Sequence, residues 1–245
     1  MSISLRQEQI IEILRENTYM TVGRMAEILY TSPSSIRRDL SRLESLGLLR
    51  RSHGGAALPT EAGKAPSLDS RMSRNLAEKR KIAKKAAKLL KDGQTVMLDG
   101  SSTAGFLVPY IAMHSDMTLY TNNMNTAMSA IGYGITTHLI GGMAINHSAV
   151  LSGVASYKAA AELSPDILFF SSQCLSEDGI ISDSTEEENY LRSIMIKSAK
   201  VRVFLCDSGK FGGLALYRLA TLDQLEYAVF DTELSGLKTK CTVIR

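Results

Sequence analysis

The chain has 245 residues, of which 44% are hydrophobic and 22% are charged, and its formal net charge is +3. This length fits two modest domains or one large one, and the composition excludes a disordered chain and a histone-like polycation. The three cysteines are too few and too scattered for a disulfide framework, and none forms a CxxC metal or redox pair, so we expect reduced thiols. No hydrophobic signal core or membrane-length apolar run occurs, so we expect a cytoplasmic protein without a membrane partner.

Residues 1–58 form the first predicted domain and have the periodicity of three short helices. Apolar residues predict a first helix over 6–16, and Thr21 is suited to cap the N-terminus of a second helix. After a short turn, Ser32 is suited to cap a third helix, with Pro33 at its first position, where a missing N–H costs nothing. Two helices and a short turn leading into a third indicate a helix-turn-helix.

A short hairpin is predicted after the third helix, which Gly47 ends. Residues 48–52 and 56–58 pair in this prediction, and Gly54 and Gly55 form the turn between them. A hairpin in this place is the wing of a winged helix-turn-helix, and its basic residues are placed to reach phosphates.

The third helix has two chemically different sides. One side collects Ile36, Leu40 and Leu43, while the opposite side collects serines and arginines. Arginine forks bond guanine edges or phosphates, and short serines allow close approach to the groove floor. The predicted DNA contacts of the helix and the wing are Ser32, Ser34, Ser35, Arg37, Arg38, Ser41, Arg42, Arg50, Arg51, His53 and Gly54.

An isolated amphipathic helix has an alternative interpretation, which is a solvated surface without a DNA partner. The preceding helices, the short turn and the wing, all at the required spacing, favour double-stranded DNA as the partner. Asp39 differs from its neighbours because a carboxylate pressed on phosphates repels them. We therefore expect Asp39 to be an ion-pair or hydrogen-bond partner within the domain.

A linker is predicted over 59–75, where proline, glycine, serine and mixed charges show no sustained period. Residues 76–245 form the second predicted domain, which opens with a helix. Its basic run, residues 79–88, is predicted to be a solvated face, with DNA contact as the alternative.

The second domain contains short apolar runs that alternate with helix-like segments. This alternation predicts an α/β fold, in which a mostly parallel sheet is covered by helices. Ligands in such folds bind where the strands end. The six runs are 95–99, 117–121, 137–141, 166–171, 201–207 and 226–231.

Polar clusters follow four of these runs. A Gly-Ser-Ser-Thr turn that begins at Gly100 and opens a helix suits a phosphate, through N–H groups, hydroxyls and the helix dipole. Lys210 adds a full positive charge, and Asp99 and Asn122 suit sugar hydroxyls. Any single cluster is alternatively a strand-ending turn, but four in one sheet favour a sugar-phosphate site. The candidate effector-binding residues are Asp99, Gly100, Ser101, Ser102, Thr103, Thr121, Asn122, Gly141, Gly142 and Lys210.

Several motifs resemble those of DeoR-type bacterial regulators. They are Ile36-Arg37-Arg38-Asp39-Leu40 on the third helix, His53-Gly54-Gly55-Ala56 on the wing, and the segment 179–212. Ser35 stands where the family usually has threonine, and Arg192 stands where lysine is common. The resemblance implies a sensor domain that is similar in fold to ribose-5-phosphate isomerase and senses phosphorylated sugars. It adds Arg192 to the candidate effector-binding residues.

These observations predict a DNA-binding transcription regulator, namely a repressor of a sugar-metabolism operon that responds to a phosphorylated sugar. Paired DNA-binding heads on repeated half-sites predict a homodimer or homotetramer. No catalytic residue, metal or cofactor is predicted.

Two alternatives remain open. A sugar-phosphate isomerase with a DNA-binding appendage has Asp99, Asp183 and Lys210 available, but the acidic run and Lys-Gly-rich loop of that enzyme are missing. The other alternative is an activator, or a regulator with a non-phosphorylated ligand, because operator position is not encoded in the chain.

Overall fold

The computed structural model describes residues 3–16, 20–46, 48–52, 55–57, 75–145, 149–237 and 239–244. The chain divides into two compact units, Met1–Pro66 and Ser67–Arg245. Of the predicted linker, only Asn75 is among the described residues. Gly47 and the wing-tip residues His53 and Gly54 also lie outside them. We call Met1–Pro66 the N-terminal unit and Ser67–Arg245 the sensor unit.

The described residues of the N-terminal unit form three helices and a small antiparallel sheet. The helices are α1 (Leu5–Glu16), α2 (Val22–Ile28) and α3 (Pro33–Ser45), and the strands are β1 (Met20–Thr21), β2 (Arg50–Ser52) and β3 (Gly55–Ala57). The strand order is β1-β3-β2. These elements confirm the helix-turn-helix and the hairpin that follows it.

Side-chain caps and one apolar core hold this unit together. The Thr21 hydroxyl accepts a hydrogen bond from the Arg24 backbone N–H (3.3 Å), and the Ser32 hydroxyl accepts one from the Ser35 N–H (3.2 Å). Both caps are those that the sequence predicts. The buried core residues come from all three helices and the small sheet: Ile10, Leu14, Val22, Met25, Ala26, Ile36, Leu40, Leu43, Leu49 and Ala56.

The prediction of the hairpin was wrong in one detail. Gly55 lies in β3, where it pairs with Ser52 and Thr21, and so does not belong to the turn. The strand β1 was not predicted, because two residues between helices give no measurable alternation.

Where the structure describes it, the sensor unit forms a seven-stranded parallel sheet and two small antiparallel sheets. Its helices are α4 (Leu76–Ala86), α5 (Ser102–Gly105), α6 (Val108–Ile111), α7 (Met124–Gly132), α8 (Val154–Ala161) and α9 (Glu186–Ser198). The strands of the large sheet are β4 (Thr95–Leu98), β5 (Thr118–Thr121), β6 (Thr136–Leu139), β9 (Ile167–Phe170), β12 (Val201–Cys206), β14 (Tyr227–Phe230) and β15 (Thr242–Ile244). The remaining strands are β7 (Met143–Ala144), β8 (Leu151–Ser152), β10 (Cys174–Leu175), β11 (Ile180–Asp183) and β13 (Tyr217–Thr221).

The large sheet confirms the predicted parallel α/β fold. Each of the six predicted runs overlaps a strand of this sheet. The strand order is β15-β14-β12-β9-β4-β5-β6, and every neighbouring pair is parallel. One apolar core lies on each face of the sheet. The seventh strand, β15, and the small sheets β10-β11-β13 and β7-β8 were not predicted.

The chain reverses its direction of travel across the sheet between β4 and β9. From β4 it proceeds to β5 and β6, whereas from β9 it proceeds to β12, β14 and β15 on the other side. Such a switch point leaves a crevice at the carboxyl ends of the two central strands, where ligands of open α/β sheets bind. Asp99 follows β4, and Ser171 follows β9.

The basic run on α4 is only partly the solvated face that the sequence predicts. Arg80, Lys81 and Lys84 are exposed, but Lys79 is 3% exposed. The Lys85 ammonium group donates hydrogen bonds to the backbone carbonyls of Phe230 (2.7 Å) and Asp231 (3.0 Å). Burial lowers the pKa of Lys85, while the nearby Asp231 opposes this shift. Two cations of this run are therefore used within the fold.

None of the described helices is both long enough and apolar enough to cross a membrane.

Candidate DNA interface and ligand site

The N-terminus of α3 is ordered by three serine hydroxyls. The Ser32 hydroxyl caps the helix and lies 2.9 Å from the Ser34 hydroxyl and 3.0 Å from the Ser35 hydroxyl. All three side chains belong to the predicted DNA-contacting set. Their mutual hydrogen bonds fix the direction of the first turn, and they leave hydroxyl groups at the start of the helix.

The arginines of α3 project from the side opposite the apolar core. Arg37, Arg38 and Arg42 are exposed, whereas Ile36 and Leu40 are fully buried. Within the described part of the chain, none of the three guanidinium groups has a hydrogen bond or an ion pair. Each therefore presents an uncompensated cation that is available to an anionic partner.

Asp39 has the structural role that the sequence predicts. Its carboxylate accepts hydrogen bonds from Arg6 Nε (2.6 Å) and Gln7 Nε2 (3.1 Å), both on α1. The carboxylate is thus held between α1 and α3, away from the arginine side of the helix. Its negative charge is offset by Arg6 and does not weaken the basic surface.

Among the predicted wing contacts, Arg51 is the residue whose side chain the structure describes. This side chain lies against α3. Its guanidinium group donates a hydrogen bond to the Ser41 hydroxyl (2.7 Å), and its backbone N–H donates one to Glu44 (3.0 Å). Ser41 also donates a hydrogen bond to the Arg37 carbonyl (2.9 Å). The structure therefore joins helix and hairpin into one basic surface, while the Arg50 side chain, His53 and Gly54 lie outside the described residues.

A small pocket opens at the switch point of the sensor unit. Its empty volume, with the open mouth included, is about 180 Å³. The lining residues are Asp99, Gly100, Asn122, Val150, Glu188, Leu191, Arg192 and Met195. Four of the predicted effector-binding residues, Asp99, Gly100, Asn122 and Arg192, therefore meet in one pocket.

Arg192 is buried among three carboxylates. Its guanidinium nitrogens lie 2.8 Å from Asp99 Oδ2, 3.1 Å from Asp183 Oδ2 and 3.4 Å from Glu188 Oε2. Burial alone would lower the pKa of Arg192, but the three facing carboxylates raise it above its ordinary value. The cluster holds more negative than positive charge, so Arg192 is not an open anion site in this arrangement.

Asp99 is fully engaged within the protein. Its Oδ1 accepts hydrogen bonds from the Ser101 N–H (3.1 Å) and hydroxyl (2.5 Å), and its Oδ2 accepts one from Arg192. The Ser171 N–H also points to Oδ2, at 3.4 Å. A carboxylate with these partners shapes the strand ends, and little of it is left to bind a sugar hydroxyl.

Lys210 lies on the other side of Ser171 from Asp99. Its ammonium group donates a hydrogen bond to the Ser171 hydroxyl (2.8 Å) and lies 3.5 Å from Asp207 Oδ2. The other carboxylate oxygen of Asp207 accepts a hydrogen bond from the Asn75 side-chain amide (2.7 Å). Asn75 precedes α4 and has a left-handed backbone with φ 52°. Ser171 thus joins the Asp99 and Arg192 network to the Lys210 and Asp207 pair.

Asn122 lines the pocket and carries a buried acceptor that its neighbours leave unsatisfied among the described residues. Its Nδ2 donates a hydrogen bond to the Leu151 carbonyl (2.8 Å), whereas its buried Oδ1 has no hydrogen-bond partner among the described residues. An orphaned buried acceptor is costly unless a water or a ligand satisfies it. Val150 covers the neighbouring Gly100, where an added Cβ would lie 2.6 Å from Val150 Cγ1.

The remaining predicted residues surround this site without lining it. Ser101 caps α5 through the Ala104 N–H (3.2 Å), and Thr103 and Thr121 are fully buried. Since α5 is a single turn, it has almost none of the dipole on which the phosphate argument relied. The backbone of Gly141 accepts a hydrogen bond from Ser156, and Gly142 packs so closely on α8 that a Cβ there would lie 2.1 Å from Ser156 Oγ. Ser102 is also buried.

Asp183, Glu188 and Ser171 belong to this network, but the sequence analysis did not place them among the effector-binding residues. Glu188 and Arg192 are four residues apart on α9, and this spacing is a recognisable ion-pair signal. Asp183 and Ser171 give no such local signal, because their partners are distant in sequence. The carboxylates required by the isomerase alternative, Asp99 and Asp183, are both paired with Arg192.

Comparison with known proteins identifies both units. The DeoR-like helix-turn-helix domain matches residues 6–62, and the DeoR C-terminal sensor domain matches residues 74–232. The chain is 32% identical over 231 residues to the HTH-type transcriptional regulator GolR of Listeria innocua, with 94% of this chain and 91% of that protein covered. It is 28% identical over 227 residues to the glycerol-3-phosphate regulon repressor of Haemophilus influenzae, with 93% of this chain and 89% of that protein covered.

A solved structure of ribose 5-phosphate isomerase A from Methanocaldococcus jannaschii overlaps part of the fold. Its TM-score is 0.42 at 21% identity, with 56% of this chain and 55% of that chain covered. The assignment therefore rests on the two domain matches, which follow one another along nearly the whole chain. The chain belongs to the DeoR family of DNA-binding transcriptional regulators.

Proposed function

We propose that this regulator is a repressor that binds an operator through α3 and the wing and responds to a phosphorylated sugar in its sensor unit. The arginines of α3, which are exposed and have no side-chain partner among the described residues, carry the DNA part of the proposal. The relative from Haemophilus influenzae is named as a repressor and for a phosphorylated polyol, which supports both repression and a phosphorylated effector. We place the protein in the cytoplasm, where operator and metabolite meet.

The proposed DNA contacts divide by position along α3. Residues near the N-terminus of a recognition helix contact base edges, so Arg37 and Arg38 are assigned to base readout. Arg42, one turn further, and Arg51 on the hairpin are assigned to phosphates, which fix register. The serines and the wing tip complete the proposed surface: Ser32, Ser34, Ser35, Ser41, Arg50, His53 and Gly54.

The proposed effector site is the switch-point pocket and its surroundings. Asn122 Oδ1 accepts a hydrogen bond from a sugar hydroxyl, which satisfies a buried acceptor that has no other partner in the described part of the chain. Lys210, whose side chain is 22% exposed, supplies positive charge to the phosphate. The other proposed residues shape the strand ends around the ligand: Asp99, Gly100, Ser101, Ser102, Thr103, Thr121, Gly141, Gly142 and Arg192.

Ligand binding at this pocket requires local widening. The enclosed space is only about 10 Å³, room for about one water molecule, whereas small-molecule sites begin at roughly 300 Å³. Val150, which packs on Gly100, is the side chain whose movement enlarges it. A ligand that favours the widened arrangement shifts the population toward it, and by reciprocity its binding and DNA binding change one another by the same factor.

The DNA part is tested with duplexes selected from a random-sequence library by the immobilised full chain. Fluorescence anisotropy then compares the wild type with Arg37→Ala and Arg38→Ala, each of which we expect to weaken specific binding by about 1–3 kcal/mol. Arg218→Ala removes an exposed arginine from β13 in the sensor unit and serves as the matched control. Wild-type affinity in both α3 variants would refute the assignment.

The effector part is tested by thermal shift of the full chain against hexose, pentose and glycerol phosphates, each beside its unphosphorylated counterpart. A ligand at 100 times its Kd stabilises the folded state by about 2.7 kcal/mol. We expect a shift from a phosphorylated compound only, and a smaller one in Lys210→Met. A shift from a free sugar alone would instead favour the non-phosphorylated alternative, and turnover of any sugar phosphate would favour the isomerase.

A further inference from the structure

One edge of the sensor unit is built from a long stretch without formal charge. No Asp, Glu, Lys or Arg occurs in residues 117–157, although 22% of the whole chain is charged. The stretch forms β5, α7, β6, β7 and β8. Solvent-facing surfaces ordinarily mix charges of both signs, whereas the centre of a protein interface is depleted of them.

The same stretch exposes large apolar side chains. Met124, Met128 and Ile131 are spaced i, i+4 and i+7 on α7, so they form one stripe along the helix. Met128 is 68% exposed and Ile131 is 56% exposed. Leu139 is 43% exposed on β6, the strand on which α7 packs. We call the stripe of α7 together with β6 the uncharged edge.

The strand β6 ends the large sheet, and within the described residues no further strand pairs with it. Exposed edge strands are usually protected by lysine, proline, an inward charge or a bulge. The sequence of β6, Thr-Thr-His-Leu, contains neither lysine nor proline. An unprotected polar edge beside an apolar helix stripe indicates a surface that is covered in the assembled protein.

We propose that a second copy of this chain covers the uncharged edge and that this contact is the dimer interface of the sensor unit. A two-fold axis places the same surface on both sides, so the surface must be complementary to itself. A charged patch opposes like charge in such a contact, whereas an uncharged apolar patch does not. The absence of charge therefore fits a second copy better than a charged partner.

The geometry of a two-fold axis also suits the sheet edge. Two copies of one strand related by a perpendicular two-fold axis run antiparallel, and antiparallel strands can pair directly. The α7 stripes of the two copies then lie on the same side of the joined sheets. This contact satisfies the outer backbone groups of β6 and buries Met128 and Ile131.

The uncharged edge is connected to the proposed effector pocket. Asn123 caps α7 through the backbone N–H groups of Asn125 (2.9 Å) and Thr126 (3.1 Å). Its side-chain amide donates a hydrogen bond to the carbonyl of Gly100 (3.1 Å), which lines the pocket. The helix of the interface therefore begins at the pocket wall, and the proposal deepens the proposed function by assigning the surface that pairs the DNA-binding heads.

Sedimentation velocity of the full chain over a range of concentrations tests the interface without DNA or effector. We expect the wild type to self-associate and Met128→Glu to raise the dissociation constant at least about ten-fold, because a carboxylate is then buried against its own copy. Leu216→Glu is the matched control: Leu216 is 79% exposed beside β13, outside the uncharged edge. We expect it to associate as the wild type does.

Two results would overturn the proposal, a monomeric wild type and a Met128→Glu variant that associates as tightly as the wild type. Circular dichroism melting checks that Met128→Glu is folded, and Ile131→Ser provides a second, uncharged change in the same stripe with the same expected direction. Binding of effector in the thermal-shift assay is measured separately on each variant. A failed interface and a failed effector site therefore give different patterns.

Discussion

The N-terminal unit and the sensor unit use arginine in opposite ways. Arg37 and Arg38 are exposed on α3 and have no side-chain partner in the described residues, whereas Arg192 is buried between Asp99, Asp183 and Glu188. An uncompensated surface cation contributes little to folding and is free to bind an anion. A buried cation with three carboxylates holds the strand ends together, so its charge alone does not identify a ligand contact.

The largest effect is expected from removal of the buried arginine. In Arg192→Met the carboxylates lose their shared cation, and unfolding in urea should show a loss of about 3–5 kcal/mol. The matched change Arg37→Met should alter stability by no more than about 0.5 kcal/mol. Arg192→Lys, which keeps the charge but not the three-way geometry, should fall between them. Equal losses of unfolding free energy in Arg192→Met and Arg37→Met would contradict this contrast between the buried and the exposed arginine.

A smaller effect is expected at Arg42. It tests the proposed division of α3 between base contacts and phosphate contacts. Arg42→Ala should weaken binding to selected and to random duplexes by the same factor. It should also reduce the slope of log affinity against log salt concentration by about one. The titration is fluorescence anisotropy between low and moderate salt. A loss confined to the selected duplex would instead place Arg42 on a base, and Lys197→Ala, an exposed change on α9, is the control.

The smallest effect is expected at the ion pair of Arg202 and Glu226. Both side chains are partly exposed, so their burial is intermediate between that of Arg37 and that of Arg192. Hydrogen bonds from Arg202 lower the pKa of Glu226 below its ordinary 4.5, with burial opposing them. A depressed carboxyl pKa contributes stability above 4.5 that is lost as pH falls through the folded value. Glu226→Gln should therefore flatten the acid side of the stability profile by less than about 1 kcal/mol, since the pair is solvent-screened. An unchanged acid profile would contradict this role.

The fold was largely predictable because its signals are local. The central strands are apolar on both faces, as in β9 with its Ile-Leu-Phe-Phe sequence, and the caps at Thr21 and Ser32 lie directly before their helices. The strand β15 was missed because three residues after a turn-rich segment carry too short a pattern. The small sheet β10-β11-β13 depends on pairing across the chain, which periodicity does not report.

The candidate site was predictable in its location and less so in its contacts. The polar residues that follow β4 and β5 meet at the switch point, because parallel strands end at the same edge of the sheet. Which of them are free is decided by partners far away in sequence, such as Arg192 for Asp99 and Ser171 for Lys210. The buried Oδ1 of Asn122, which has no partner among the described residues, was unpredictable for the same reason, since its neighbours come from separate segments.

The contact between Asn75 and Asp207 has a consequence for the start of α4. One oxygen of the Asp207 carboxylate holds the residue where the chain enters α4, and the other faces Lys210. A carboxylate is planar and rigid, so turning one oxygen toward a new neighbour necessarily displaces the other. Any rotation of the Asp207 carboxylate at the strand ends therefore also changes its hydrogen bond to Asn75, the residue directly before α4.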